Sequence, residues 1–171
     1  MIKTLAIAAV LLLLPTAASA QEVFGGLYKH NVDTPLSLGE GLEGGFDVQL
    51  GYRGGRILPG TKLQPYVMVA LNLRGEEGYV AAGLSWKFGN RLYVRPGLGL
   101  AIHNGSADKF ERRDRIAFGS RVLIEPEVAV GTRINARLSI EASWVHLSHA
   151  QLFGGQNPGI DNIGARINLK L

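Results

Sequence analysis

The sequence has no cysteine, so no disulfide can stabilise the fold and no thiolate can act as a nucleophile or metal ligand. Charge of one sign is not in strong excess either. The chain has 18 Lys and Arg residues against 14 Asp and Glu residues, which is too even a balance to indicate nucleic-acid binding. After residue 20, no apolar run is long enough for a transmembrane helix. A membrane location would therefore require a closed β-barrel, because only that shape pairs every backbone group without helices.

The N-terminal segment has the three parts of a secretory signal peptide. Lys3 gives a positive charge, an apolar run follows over residues 5–14, and Ala18-Ser19-Ala20 matches the small-x-small cleavage pattern. The apolar run is too short to span a bilayer as a helix. We therefore predict export, with residues 1–20 as the signal peptide and residues 21–171 as a single domain.

In the rest of the chain, apolar residues recur with a period of two, which is typical of strands. Phe46, Val48 and Leu50 share one face of a predicted strand, for example, while Asp47 and Gln49 share the other. Seven segments show this alternation, and an eighth, less regular one lies near residues 23–32. The seven regular segments are 46–53, 65–73, 80–88, 92–103, 116–128, 137–144 and 162–171.

This alternation fits two architectures. A soluble β-sandwich would bury the apolar face, whereas a small membrane barrel would turn it towards lipid and enclose the charges. Strands of roughly 10 to 14 residues can cross a bilayer when tilted. Together with the even strand count, the lack of disulfides and the signal peptide, this length favours the membrane. We predict an all-β fold, an eight-stranded antiparallel transmembrane β-barrel located in the outer membrane.

The charged residues on the other face would then lie inside the barrel. We expect them to form an ion-pair network that fills it, as charges of both signs occur there. His30 and His103 are isolated in the sequence, and no metal site is predicted at either. The predicted network consists of Arg95, Arg121, Arg166, Glu125, Glu127 and Glu141.

The side chains that can take part in catalysis are concentrated in the last hairpin. His146 and Ser148 continue the outward face of their strand, and Asp161 lies on the outward face of the next one. If the hairpin pairs symmetrically, His146 lies opposite Asp161 with Cβ atoms roughly 5 Å apart. Both termini of an even-stranded barrel are periplasmic, so this hairpin would close on the outer side.

A hydroxyl, an imidazole and a carboxylate in this order can support nucleophilic catalysis. The carboxylate orients the imidazole, which takes the serine proton so that the serine can attack an acyl carbonyl. The competing interpretation is that polar residues at strand ends are common, since a charge there costs only about 0 to 1 kcal/mol. Trp144, on the same face, is typical of an interfacial depth.

The pattern His146-x-Ser148, a short loop, Gly159-Ile160-Asp161 and a final amphipathic strand resembles the lipid A 3-O-deacylase (PagL) family. The resemblance implies an eight-stranded outer-membrane esterase that removes the 3-position acyl chain of lipid A. It also implies Ser148 as nucleophile, His146 as base and Asp161 as the acidic residue. The chain departs from the family at two positions: the acidic residue is usually Glu, and the residue after the serine is usually Asn, where this chain has His149. His149 and Ala150 are the expected oxyanion and substrate contacts.

The resemblance implies no cofactor, and we predict no metal. The expected partners are lipid A, as part of lipopolysaccharide, and outer-membrane lipid, with no nucleic acid; a homodimer is left open. The alternative function is non-enzymatic, a small outer-membrane barrel with a structural or adhesin-type binding role. A soluble exported β-sandwich ranks third.

Overall fold

The computed structural model describes residues 21–37, 43–107, 116–150, 152 and 159–171. The predicted signal peptide lies outside these residues. Across the described ranges, no helix is long and apolar enough to cross a membrane. The strands are β1 (Glu22–Lys29), β2 (Phe46–Arg53), β3 (Leu63–Asn72), β4 (Tyr79–Trp86), β5 (Phe88–Gly89), β6 (Leu92–His103), β7 (Val122–Arg133), β8 (Leu138–Leu147) and β9 (Ile160–Lys170).

These strands form one closed antiparallel sheet. Apart from β4 and β5, which do not pair with each other, consecutive strands pair; β1 also pairs with β9, and β4 pairs with β6. The two-residue β5 continues β4 beyond Lys87 and also pairs with β6, so β4 and β5 together make one barrel strand. The eight-stranded barrel predicted from the sequence is confirmed. We call the end opposite the termini, beyond Lys29 and Leu147, the distal end.

The outer face is apolar, as expected for a barrel embedded in an outer membrane. Leu50 is 59% exposed, Leu98 61% and Ile167 55%. Their sequence neighbours point inward and are buried or half-buried, which confirms the predicted phase. In β9, for example, Ile167 is exposed while Arg166 is 1% exposed.

The interior holds a buried ion-pair network. Arg166 Nε donates to Glu141 Oε2 at 2.5 Å, and Arg166 Nη1 donates to Glu127 Oε2 at 2.8 Å. Glu125 also faces inward and accepts a hydrogen bond from the Tyr66 hydroxyl. The predicted network is thus largely confirmed, and it has two further members. The residues joined by ion pairs are Glu22, Arg53, Arg95, Glu127, Glu141 and Arg166.

Arg121 does not belong to this network, contrary to the prediction. It immediately precedes β7 at the distal end. Its Nη1 donates to the backbone carbonyls of His103 at 3.5 Å and Gly105 at 2.6 Å. Arg121 is exposed because β7 begins only at Val122, so the inward position expected for it was wrong.

The prediction of a strand over residues 116–128 was wrong at both ends, since β7 runs from Val122 to Arg133. Ile116 and Phe118 were expected to face lipid, but both are almost completely buried. The chain turns at Gly119, whose φ of +73° lies in the left-handed region. Before this turn, residues 116–118 fold inward, and the Phe118 ring packs against His103 with centroids 4.7 Å apart. The apolar side chains of this segment therefore lie in the mouth of the barrel and do not face lipid.

Candidate active site

The hairpin between β8 and β9 brings two of the predicted catalytic residues together. His146 pairs directly with Asp161 in the strand register. The His146 Nδ1 atom lies 2.8 Å from Asp161 Oδ1. An ionised carboxylate can only accept a hydrogen bond, so Nδ1 carries the proton and donates it. The lone pair of Nε2 is then free to take a proton from a nucleophile.

Asp161 accepts two further side-chain hydrogen bonds. The indole Nε1 of Trp144 donates to Oδ1 at 2.8 Å, and the hydroxyl of Thr34 donates to Oδ2. The backbone amide of Val32 also donates to the Asp161 carbonyl oxygen at 2.7 Å. Asp161 is fully buried, and these donors compensate for the loss of water around its charge. The carboxylate is therefore held in one orientation.

Thr34 was not among the candidates from the sequence. It lies in the segment after β1 and is 127 residues from Asp161 along the chain. No local spacing links the two residues, because β1 meets β9 only when the barrel closes. The sequence therefore offered no signal for this contact.

Ser148 lies just beyond β8, where it forms a bridge with Ile124 of β7. Its backbone amide donates to the Ile124 carbonyl at 3.1 Å, and its carbonyl accepts from the Ile124 amide at 2.7 Å. Within the described part of the chain, the hydrogen bonds of the site join His146 to Asp161 but do not include Ser148. In ligand-free enzymes such catalytic bonds are often long and shorten only when substrate binds.

The site is less exposed to lipid than predicted. The outward phase of His146, Ser148 and Asp161 is correct, but His146 is 9% exposed, Ser148 7% and Asp161 0%. The segment after β1 lies beside β9 at this level, where the Val32 backbone amide and the Thr34 hydroxyl donate to Asp161. The prediction of three side chains open to lipid is therefore wrong. The site lies in a covered position at the distal end of the barrel.

The two tentative substrate contacts follow Ser148. His149 is 1% exposed, and its carbonyl accepts a hydrogen bond from the Leu152 amide at 2.9 Å. Ala150 is exposed, and its φ of +50° is unusual for a residue with a side chain. Such conformations occur often at functional sites. The roles assigned to His149 and Ala150 remain predictions.

Gly159 is a further residue of the site. A Cβ built on Gly159 would lie 2.6 Å from His146 Cε1 and 3.1 Å from His146 Nε2. The backbone of Gly159 therefore runs along the edge of the imidazole that would receive the proton. Any larger residue at this position would displace the ring. The Gly159-Ile160-Asp161 motif of the sequence contained this signal, but its reason is visible only in three dimensions.

Comparison with known proteins supports the resemblance noted in the sequence. The family model described as lipid A 3-O-deacylase (PagL) matches residues 28–170. None of the curated proteins matches the sequence significantly.

Several solved structures share the fold. The crystal structure of the outer membrane enzyme PagL superposes with a TM-score of 0.62 at 15% identity, covering 88% of this chain and 99% of that one. The N-terminal β-barrel domain of Pseudomonas aeruginosa OprF gives 0.60 at 9% identity, with 90% and 98% covered. Neisserial surface protein A gives 0.57 at 12% identity, with 88% and 97% covered. At these identities the structures show the shared outer-membrane barrel fold alone. The family model spans nearly the whole barrel, and the chain therefore belongs to the lipid A 3-O-deacylase (PagL) family.

Proposed function

We propose that this protein is a serine esterase that removes the ester-linked acyl chain from the 3 position of lipid A in the outer leaflet. The observation that carries the proposal is the 2.8 Å hydrogen bond between His146 and Asp161. Ser148 follows His146 by two residues and has the same outward phase. Family membership supplies the substrate class.

In the proposed reaction, Ser148 Oγ attacks the acyl carbonyl carbon while His146 Nε2 takes the hydroxyl proton. The tetrahedral intermediate collapses, and the sugar oxygen leaves with the proton from the imidazolium. A water molecule then attacks the acyl-serine in the same way, which releases the fatty acid and restores Ser148. Asp161 stabilises the imidazolium in both steps and stays ionised.

The negative charge on the carbonyl oxygen requires donors close to Ser148. His149 and Ala150 follow the serine directly, and we assign this task to them. Removing one oxyanion donor typically costs about 10²- to 10³-fold in turnover. A histidine at position 149 can donate as the asparagine usual in this family does.

Mass spectrometry of lipid A from cells with and without the protein tests the proposal. Wild-type protein should convert lipid A to a form that lacks one 3-hydroxyacyl chain. Ser148→Ala and His146→Ala should abolish the conversion while the barrel still shows heat-modifiable migration on gels. Asp161→Asn should lower the rate but leave residual activity, since nucleophile and base remain. Conversion at the wild-type rate by Ser148→Ala would exclude the mechanism and favour the non-enzymatic alternative.

A further inference from the structure

A second group of ionisable side chains lies inside the barrel mouth at the distal end. Its residues lie at the distal ends of β1, β2 and β6 and in the loops that precede β2 and β4, and all except Glu76 are at least nine-tenths buried. His30 and His103 were expected from the sequence to be isolated. That expectation was wrong, because the closed barrel brings carboxylates close to both. We call this group the mouth cluster: His30, Glu43, Asp47, Glu76, Glu77 and His103.

His30 is oriented as metal-binding histidines usually are. Its Nδ1 lies 2.9 Å from Asp47 Oδ2, so the carboxylate accepts the Nδ1 proton. Asp47 is itself fixed by the amide of Asn72, which donates to Oδ1 at 2.9 Å. The Nε2 atom lies on the opposite side of the ring, and its lone pair becomes available to an ion when that nitrogen is deprotonated. A carboxylate that orients an imidazole in this way commonly stands behind a metal ligand.

Carboxylate oxygens face this lone pair. Glu43 Oε2 lies 3.5 Å from His30 Nε2. That distance is long for a hydrogen bond, but it is close to the roughly 3.3 Å that separates two ligands about 2.0–2.1 Å from a tetrahedral ion. Ligand atoms of His30, Glu43 and Glu76 all lie within 4.8 Å of one another.

Several buried atoms of the mouth cluster have no hydrogen-bond partner among the described residues. They include His30 Nε2, Glu43 Oε2 and both carboxylate oxygens of Glu77. Burying such atoms unpaired is costly, and for a charged group the cost is several kcal/mol or more. These atoms require a cation, protons or both.

Carboxylates outnumber the cationic side chains among the described residues of the mouth cluster. The mouth cluster contains four carboxylates, and the neighbouring Arg121 directs Nη1 at the carbonyls of His103 and Gly105. Ile116 and Phe118 pack beside the mouth cluster: the Ile116 amide donates to Glu43 Oε1 at 3.1 Å, and the Phe118 ring lies against His103.

We propose that the mouth cluster binds one divalent cation of the zinc type through His30 Nε2 and one carboxylate oxygen each from Glu43 and Glu76. An imidazole together with carboxylates suits zinc better than calcium or magnesium, which prefer oxygen ligands alone. Asp47 holds His30 in place from behind, and Glu77 adds negative charge nearby. This inference does not depend on the proposed esterase reaction.

The ion would also act on the active site through the backbone. His30 leads directly into Asn31, whose φ of +49° is unusual for a non-glycine residue. The backbone amide of Asn31 donates to the side-chain Oδ1 of Asn162 at 3.0 Å. Val32 and Thr34 donate hydrogen bonds to Asp161. An ion on His30 would therefore fix the start of the segment that orients the Asp161 carboxylate.

Zinc binding by the refolded, untagged barrel in detergent, after treatment with EDTA, tests the proposal by calorimetry and metal analysis. We expect one zinc per barrel and a higher unfolding temperature with zinc. Glu43→Gln and Glu76→Gln should each abolish tight binding. Asp47→Asn should weaken it about 10- to 100-fold, as expected for a residue behind a ligand. Heat-modifiable migration shows whether each variant is folded. If Glu43→Gln does not fold, Glu76→Gln, at a part-exposed position, provides the test.

Two controls separate the mouth cluster from other sites. Asp33→Asn removes an exposed carboxylate from the neighbouring segment and should leave zinc binding unchanged. His146→Ala removes the active-site imidazole and should also retain the zinc. Absence of bound zinc, unchanged affinity in Glu76→Gln, loss of zinc in His146→Ala, or equally tight calcium binding would each overturn the proposal. If no metal binds, protons alone would balance the buried carboxylates of the mouth cluster.

Discussion

Asp161 is fixed by three side-chain donors from two parts of the chain: Trp144 and His146 on β8, and Thr34 after β1. Each donor has a different consequence. In the proposed reaction His146 takes part in proton transfer, whereas Trp144 and Thr34 only position the carboxylate. A hydrogen bond to a charged group contributes about 1.5–3 kcal/mol, so the loss of one donor should be measurable in the rate.

Thr34→Val replaces a hydroxyl by a methyl group of similar size. Asp161 Oδ2 then lacks that donor, and the imidazole is less firmly oriented. We expect kcat for the proposed deacylation to fall about tenfold, the lower end of the range for such a bond, with KM and the unfolding temperature little changed. Thr61→Val, at a turn beyond the opposite end of the barrel, is the matched control. Unchanged kcat in Thr34→Val would show that Trp144 and His146 suffice to hold the carboxylate.

Gly159→Ala adds a single methyl group beside the imidazole. The contact of 2.6 Å to His146 Cε1 requires the ring to move, and displacement of a catalytic group by about 1 Å can cost 10²-fold in rate. We expect kcat to fall by about that factor while the barrel remains folded. Gly44→Ala is the control, because a Cβ there meets nothing within 4 Å. Full activity of Gly159→Ala would mean that the imidazole is mobile enough to adapt.

At the level of strands, the phase of β8 and β9 decides which residues meet lipid. Ala142 pairs with Ala165, and both are exposed on the outer face, whereas the next pair, Ser143 with Gly164, points inward. A shift by one residue would exchange these faces and move the active site inside the barrel.

Single cysteines test this register without interference, because the chain has none of its own. A fluorescent label on Ala142→Cys or Ala165→Cys should be quenched by quenchers attached to lipid tails. A label on Ser143→Cys should not be, since that side chain is 3% exposed inside the barrel. Quenching at position 143 and not at position 142 would contradict the register.

The extent to which the sequence predicted the structure depends on whether each signal was local. The strands, their faces and the His146–Asp161 pair follow from a period of two and one short hairpin, so they were predictable. Thr34 and the mouth cluster depend on closure of the barrel, which joins residues distant in sequence. Residues 116–118 keep the alternation of a strand but fold inward before Gly119. An alternation with a period of two predicts that neighbouring side chains point to opposite faces, but it does not predict whether lipid, protein or water covers each face.

For the molecule as a whole, the interior network ties most of the strands together. Arg166 on β9 binds Glu127 on β7 and Glu141 on β8, and Arg53 on β2 and Arg95 on β6 share Glu22 on β1. Removing one partner leaves buried charges of the other sign without compensation, which costs about 3–5 kcal/mol.

Arg166→Met should therefore destabilise the barrel strongly. Glu127 and Glu141 would lose their closest cation, and we expect the temperature at which the folded gel band disappears to fall clearly below that of the wild type. Arg137→Met, at an exposed position outside the network, is the control and should change this temperature little. Equal unfolding temperatures for Arg166→Met and the wild type would show that Arg53 and Arg95 can compensate for the missing charge.

The outward phase of His146, Ser148 and Asp161 also determines how the proposed reaction depends on its surroundings. Protein and lipid A would diffuse in the same leaflet, so they would meet by lateral diffusion in two dimensions. The rate would then follow the mole fraction of lipid A among the lipids and not its amount per volume of buffer. Adding inert lipid to a proteoliposome should slow turnover, whereas diluting the suspension with buffer should leave turnover per vesicle unchanged.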